Sequence, residues 1–196
     1  MSHVKKQCRP TSGFHSVLNT TPRPASMSVD YGFKPNFSST HEVTLEYPLS
    51  KVFETIGTAA GHERVTTLSP LASHFELYHR DVVSLDKPLD QTNARTKKDE
   101  ATSNTGLPRQ FFAFQETVPM IFGLVKTVVH LSGTLTWDDE KKLALYETFS
   151  DKGIQVWKIR RFEEIDGKTR VHEQINGVCQ PLLKSIVEKE TRKAHQ

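Results

Sequence analysis

A chain of 196 residues with 36% apolar content is long enough to bury one sizeable core and short for several domains of ordinary size. Its 26 basic and 23 acidic residues leave a formal charge of +3, too small and too mixed for the electrostatic footprint of a nucleic-acid binder, and no run of eighteen apolar residues offers a membrane span. Two cysteines, Cys8 and Cys179, exclude a disulfide framework and fit a reducing, cytoplasmic location.

Residues 1–38 read as a disordered tail, with Pro10, Pro22, Pro24 and Pro35 among many Ser, Thr and Asn. No secretory apolar region is present. The absence of acidic residues before Asp30, beside Lys5, Lys6, Arg9 and Arg23, is shared with mitochondrial presequences and leaves import as an alternative, although Gly13 and the prolines oppose the helix such a signal needs. His3, Cys8 and His15 match no compact metal-ligand spacing.

The folded domain is expected over 39–196. His41 to Tyr47 alternates Val43, Leu45 and Tyr47 with Glu42, Thr44 and Glu46, the period-two pattern of a half-buried strand. Pro48 ends it and opens a helix whose apolar residues Leu49, Val52, Phe53 and Ile56 keep helical spacing. A second short helix is predicted over His62 to Leu68, before Ser69 and Pro70 stop it. Ser73 to Leu85 returns to strand. The polar stretch from Asp86 to Pro108 has no periodicity and reads as a mobile lid or an insertion.

Arg109 to Val118, rich in Phe111, Phe112 and Phe114, is a strand by propensity, interrupted at Pro119 and Gly123. Lys126 to Trp137, Leu143 to Phe149, Ile154 to Glu164 and Thr169 to Val178 follow as strands, separated by turns at 138–141, 151–153 and 166–167. This gives seven strands. Pro181 to His195 closes the chain as a helix with the narrow apolar stripe Leu182, Leu183, Ile186 and Val187, whose burial is worth on the order of 6 to 12 kcal/mol before entropy costs.

A strand, two short helices, six strands in sequence and a terminal helix, ending in the phrase from Trp157 to Glu190, resembles the helix-grip fold of the START, Bet v 1 and polyketide-cyclase superfamily (SRPBCC). The chain is more loosely similar to uncharacterised fungal members. The resemblance implies an α+β fold: a curved seven-stranded antiparallel sheet around the C-terminal helix, with two short helices after the first strand. It also implies a hydrophobic tunnel between sheet and last helix for a lipid, sterol or polyketide. The chain lacks the glycine-rich loop of the plant members, with 86–108 in its place, and the second half of its last helix is polar.

If Leu131, Leu135 and Trp137 face inward, alternation is expected to carry Phe112, Phe114 and Glu116 with them, and likewise Leu145, Glu147, Trp157, Ile159, Arg161, Val171, Glu173 and Ile175. With Leu183 and Ile186 of the last helix they would line an apolar hollow. Glu116, Glu147 and Glu173 are the candidates for acid or base chemistry there, since desolvation raises a carboxyl toward neutrality, and Arg161 could fix a polar ligand end. The other reading is that these groups turn to solvent, or that Arg161 pairs with Glu147 or Glu173 across the sheet.

His74, His79, His130 and His172 carry no metal-ligand spacing, so no metal site is expected. No G-x-S-x-G elbow, dinucleotide fingerprint or P-loop occurs, and Cys179 has no evident base beside it, so no cofactor and no covalent hydrolase are expected. The expected function is binding or carriage of a hydrophobic small molecule or lipid, with the segment at Met120 to Gly123 and the polar loop as gates. The alternative is an enzyme of the cyclase or dehydratase kind. A third reading is a protein-interaction module similar to the chaperone-activator branch of the fold. Nucleic acid is not an expected partner; transient membrane contact and oligomeric state stay open.

Overall fold

The computed structural model describes residues 28–98, 106–120, 125–181, 183 and 184. The order is β1 (Phe37–Leu45), α1 (Leu49–Gly57), α2 (Ala59–Thr66), β2 (Ala72–Val83), a 3-10 turn (Leu89–Gln91), β3 (Leu107–Met120), β4 (Val125–Asp138), β5 (Leu143–Ser150), β6 (Gln155–Ile165) and β7 (Lys168–Val178). All seven strands form one antiparallel sheet in the order β1-β7-β6-β5-β4-β3-β2. From β2 to β7 the chain is a meander, while β1 and β2 lie at opposite edges. The two helices therefore carry the chain across one face of the sheet. This seven-stranded antiparallel sheet, with two short helices after its first strand, is the arrangement expected from the sequence, and each strand falls within a few residues of its predicted place. Most of the terminal helix, with Ile186, lies outside the described residues, as do 1–27, 99–105 and 121–124.

Two local features explain how the helices and sheet close together. Thr58 accepts a hydrogen bond from the Ala60 N–H at the start of α2, and Gly61 lets α2 fold against α1, since a Cβ there would meet the Thr55 carbonyl oxygen at 2.0 Å. Gly133 does the same within the sheet, because its Cβ would lie 2.9 Å from the Phe112 ring and 2.5 Å from the Glu147 carbonyl oxygen. At the β6–β7 hairpin, Asp166 and Gly167 both have positive φ (52° and 76°), the geometry of the tight turn that Asp-Gly favours.

The sheet buries both faces. On the inner face, Val52 and Phe53 of α1 pack on Phe112, Leu135, Trp137, Ala144, Tyr146, Phe162 and Val171. On the outer face, Leu143, Leu145, Trp157 and Ile159 are covered by Leu89 and Ala94, with Val29, Tyr31, Phe33 and Leu85 packed around them.

That cover corrects two expectations. Residues 84–98, of which 86–98 belong to the stretch expected as a lid or insertion, form a strap on the face opposite the helices. Residues 28–38, expected as tail, include the start of β1 and part of the cover. Arg109 holds the strap: its guanidinium clasps Asp81 (2.9 and 2.6 Å) and donates to the Lys97 carbonyl (3.0 Å). The Trp157 indole N–H donates to the Thr92 carbonyl (3.0 Å), and Arg161 pairs with Asp90 (3.1 Å).

Candidate functional site

The register divides the residues predicted to share one hollow. Leu135 pairs with Tyr146, Tyr146 with Lys158, and Lys158 with Ile175. Directly paired residues point to the same face. Phe112, Phe114, Glu116, Leu131, Leu135 and Trp137 thus share the inner face with Val171, Glu173 and Ile175, as expected. Leu145, Glu147, Trp157, Ile159 and Arg161 lie on the outer face, and the expectation that they point inward is corrected.

The reason is turn length. In an antiparallel hairpin an even number of turn residues exchanges odd positions for even ones across the pair, and an odd number preserves them. The turn at 139–142 has four residues, so odd β4 positions share a face with even β5 positions. The turn at 166–167 restores odd positions on β7, which is why the expectation recovers there.

The outer-face candidates are structural in their contacts. Glu147 is 3% exposed, and one carboxylate oxygen accepts from the Ala94 and Arg95 N–H groups at 3.1 and 2.8 Å. Burial pushes its carboxyl up to about 7, against the two N–H groups and the charges of Arg95 and Arg109. It is the near-neutral carboxyl anticipated from sequence, yet it sits beneath the strap. Arg161 pairs with Asp90, and with neither Glu147 nor Glu173.

On the inner face the same correction introduces Tyr146, Lys158 and Arg160. Arg160 donates to Glu173 at 2.6 Å and to the Ile56 carbonyl at 3.1 Å, which ties β6 and β7 to α1. Lys158 Nζ stands 3.8 Å from the same Glu173 oxygen and 4.9 Å over the Tyr146 ring, and its side chain keeps 26% exposure. Desolvation, helped by Arg160 and opposed by Glu173 and Glu116, lowers the Lys158 ammonium to about 8. The Tyr146 phenol is raised by burial.

Glu116 faces this group from β3. Burial raises its carboxyl above the usual range, and the charge of Lys158 opposes the rise.

His62 of α2 closes one side, its ring edge-on to Phe112 (4.3 Å), Tyr146 (5.1 Å) and Phe75 (5.1 Å). Burial, with the charges of Lys158 and Arg160, lowers its imidazole to about 3, so it is a neutral ring at physiological pH. Its Nδ1 finds no hydrogen-bond partner among the described residues.

Phe112, Leu135 and Trp137 are fully engaged beneath α1, whereas Phe114 and Leu131, on the same face, are half-buried. Leu183 is half-buried at the start of the terminal helix. No group of three or more metal-ligating side chains occurs among the described residues. A separate cleft of about 450 Å³ lies beside α1, with Arg80 over Trp137 and Lys142 over Phe53, and none of the inner-face polar group lines it. Lys158, Arg160, Tyr146 and His62 were missed because their charge or polarity read as outward-facing; the lengths of the turns are the signal that could have found the first three.

No family model and no curated protein matches the chain. Solved structures do. An aromatase/cyclase, Zhui, from Streptomyces sp. R1128 matches at 12% identity and a TM-score of 0.47, over 74% of this chain and 68% of that one. TTHA0849 from Thermus thermophilus matches at 15% identity and 0.45, over 80% and 85%. Ara h 8.0201 matches at 14% identity and 0.44, over 81% and 89%. At these identities and scores nothing about ligand or chemistry transfers, and the fungal likeness has no support in them.

Proposed function

We propose that the protein binds or carries an amphiphilic small molecule or lipid on the inner face of its sheet. The supporting observation is the desolvated polar group of Lys158, Arg160 and Glu173 on the same face of the sheet as Glu116 and the half-buried Phe114 and Leu131. Lys158 pairs with Glu173 and keeps 26% of its side chain exposed, so a polar ligand end can reach it. The apolar body would lie against Phe114, Leu131 and the Tyr146 ring, where each buried methylene is worth about 0.8 kcal/mol. Gating by 86–98 forms no part of the proposal, because that segment covers the other face.

The alternative reading is a cyclase or dehydratase acting on a polyketide-like substrate. Its support narrows to Glu116: of the three candidate carboxyls it alone is on the inner face, raised by burial, and not joined to Arg160. A carboxyl tuned in this way suits general acid work.

The test is native mass spectrometry of the full chain purified from its own source, followed by titration of an extracted or synthetic long-chain amphiphile. Retention of an unmodified guest, weakened in Lys158→Met and unchanged in Arg161→Leu, supports carriage on the inner face. Turnover of a polyketide-like substrate lost in Glu116→Gln supports the enzyme. Absence of any guest in both the native preparation and the titration overturns the inner-face site, as does equal weakening by Arg161→Leu.

A further inference from the structure

Residues 94–97 of the strap are gripped at both ends of their peptide groups. Arg109 takes the carbonyls of Ala94, Arg95 and Lys97, while Glu147 Oε2 takes the N–H groups of Ala94 and Arg95 at 3.1 and 2.8 Å. The second carboxyl oxygen, Oε1, is buried and finds no hydrogen-bond partner among the described residues. Thr134, directly paired with Glu147 on β4, is fully buried and its hydroxyl is equally unpartnered there. No cation pairs with the carboxyl among the described residues: Arg109 clasps Asp81 at 2.6 Å, and the Arg95 guanidinium lies 5.9 Å over the Phe149 ring.

An ionised Glu147 under the closed strap therefore leaves charge on an oxygen that faces neither water nor a donor. That arrangement is costly, and the neutral acid avoids the cost. Lifting the strap brings water to Oε1 and removes the penalty.

We infer that Glu147 is a proton-operated latch: the strap lies closed over the protonated carboxyl, and loss of that proton favours lifting of residues 89–97 from the outer face. Lifting uncovers Leu145, Trp157 and Ile159, which Leu89 and Ala94 otherwise cover.

The direction follows from where the proton is held. Closed, the carboxyl keeps it up to about pH 7, whereas a lifted strap returns the group to its ordinary value of 4.5. The ratio of open to closed strap is thus lowest below 4.5, rises through the interval and levels off above 7, a change of about ten-fold or more between pH 5 and pH 8. Charged and titratable groups in the elements packed around Glu147 are Arg95 and Lys97 of the strap, Arg109 of β3 with Asp81 of β2, Asp90 paired with Arg161 of β6, and Asp30 and Tyr31 of the adjoining N-terminal segment. Of these, Arg95 and Arg109 weigh on the carboxyl, both toward ionisation, and burial outweighs them while the strap is closed.

This opening is local. His62 stays buried on the other face when the strap lifts, so its opposite pH dependence, which offsets Glu147 in global unfolding, does not enter.

The experiment is hydrogen exchange of the full chain from pH 5 to pH 8, read by mass spectrometry as protection factors corrected for the intrinsic rate at each pH. Protection of peptides covering 89–98 is expected to fall about ten-fold or more across this range, while protection of β6 stays within about three-fold. Glu147→Gln, which cannot titrate, should hold strap protection within about two-fold. Carbon-13 NMR of the Glu147 carboxyl in the wild type gives a reading that needs no variant, and a protonated signal is expected at pH 5.5. Flat strap protection in the wild type, or an ionised carboxyl at pH 5.5, would overturn the latch. An equal fall in Glu147→Gln would remove Glu147 as its cause, and a parallel fall in β6 would show opening of the whole sheet instead of the strap.

Discussion

Glu147 and His62 are buried ionisable side chains on opposite faces, and they give the stability of the protein opposite dependences on pH. Glu147 has its folded pKa raised to about 7, so the folded state holds a proton that the unfolded chain releases from about 4.5 upward. Its contribution is complete below 4.5 and lost as the pH rises through 7, about 3 kcal/mol in all. His62 has its folded pKa lowered to about 3, so its contribution is complete above 6.5 and lost as the pH falls. Between 4.5 and 6.5 the two slopes largely offset. Glu147→Gln, which retains an acceptor for the Ala94 and Arg95 N–H groups, should therefore gain about 2–3 kcal/mol over wild type at pH 8 in urea unfolding, with no gain at pH 4. His62→Phe keeps the ring packing and loses the titration; it should gain about 2–3 kcal/mol at pH 4.5 and stay within about 1 kcal/mol of wild type at pH 8. A flat difference across pH in either variant would show that the group does not titrate as placed.

At the scale of elements, the strap over the outer face depends on one buried cation. Arg109 is 2% exposed and Asp81 8%, so removing the guanidinium strands a buried carboxylate and frees the carbonyls of the strap. Arg109→Leu should cost about 3–5 kcal/mol, as expected for one broken partner of a buried pair. It should also make the strap locally labile: trypsin is expected to cleave after Arg95 and Lys97 at least ten-fold faster than in wild type, under conditions where the sheet stays folded. Unchanged cleavage would mean that Trp157 and Glu147 hold the strap without Arg109. The strand pattern itself was legible because alternation is local; the existence of all seven strands and the turn at Asp166 and Gly167 followed from it. The strap was not legible, because its anchors, Arg109, Glu147 and Trp157, come from β3, β5 and β6, and no local pattern links them to residues 84–98.

For the whole molecule, the sheet works as a partition. Its outer face is occupied by the chain's own strap and N-terminal segment, while the inner face carries the ionisable group. Ligand binding should therefore stabilise the protein without changing the strap. An amphiphile at 100 times its Kd should raise stability by about 2.7 kcal/mol, while trypsin cleavage at Arg95 and Lys97 under native conditions stays at its unliganded rate. Protection of the strap by ligand would place the guest on the outer face instead.

The sequence by itself determined the order of elements, the antiparallel meander and which residues could alternate, because backbone pleating and turn chemistry act between near neighbours. It also held, in the parity of its turns, the information that Lys158 and Arg160 share a face with Leu135. Only the tertiary structure decided that Arg160 takes Glu173 and the Ile56 carbonyl, and how deeply each charge is shielded from water. Those properties arise from contacts between distant strands, where desolvation and pairing are set by the assembled surroundings of a side chain rather than by its place in the chain.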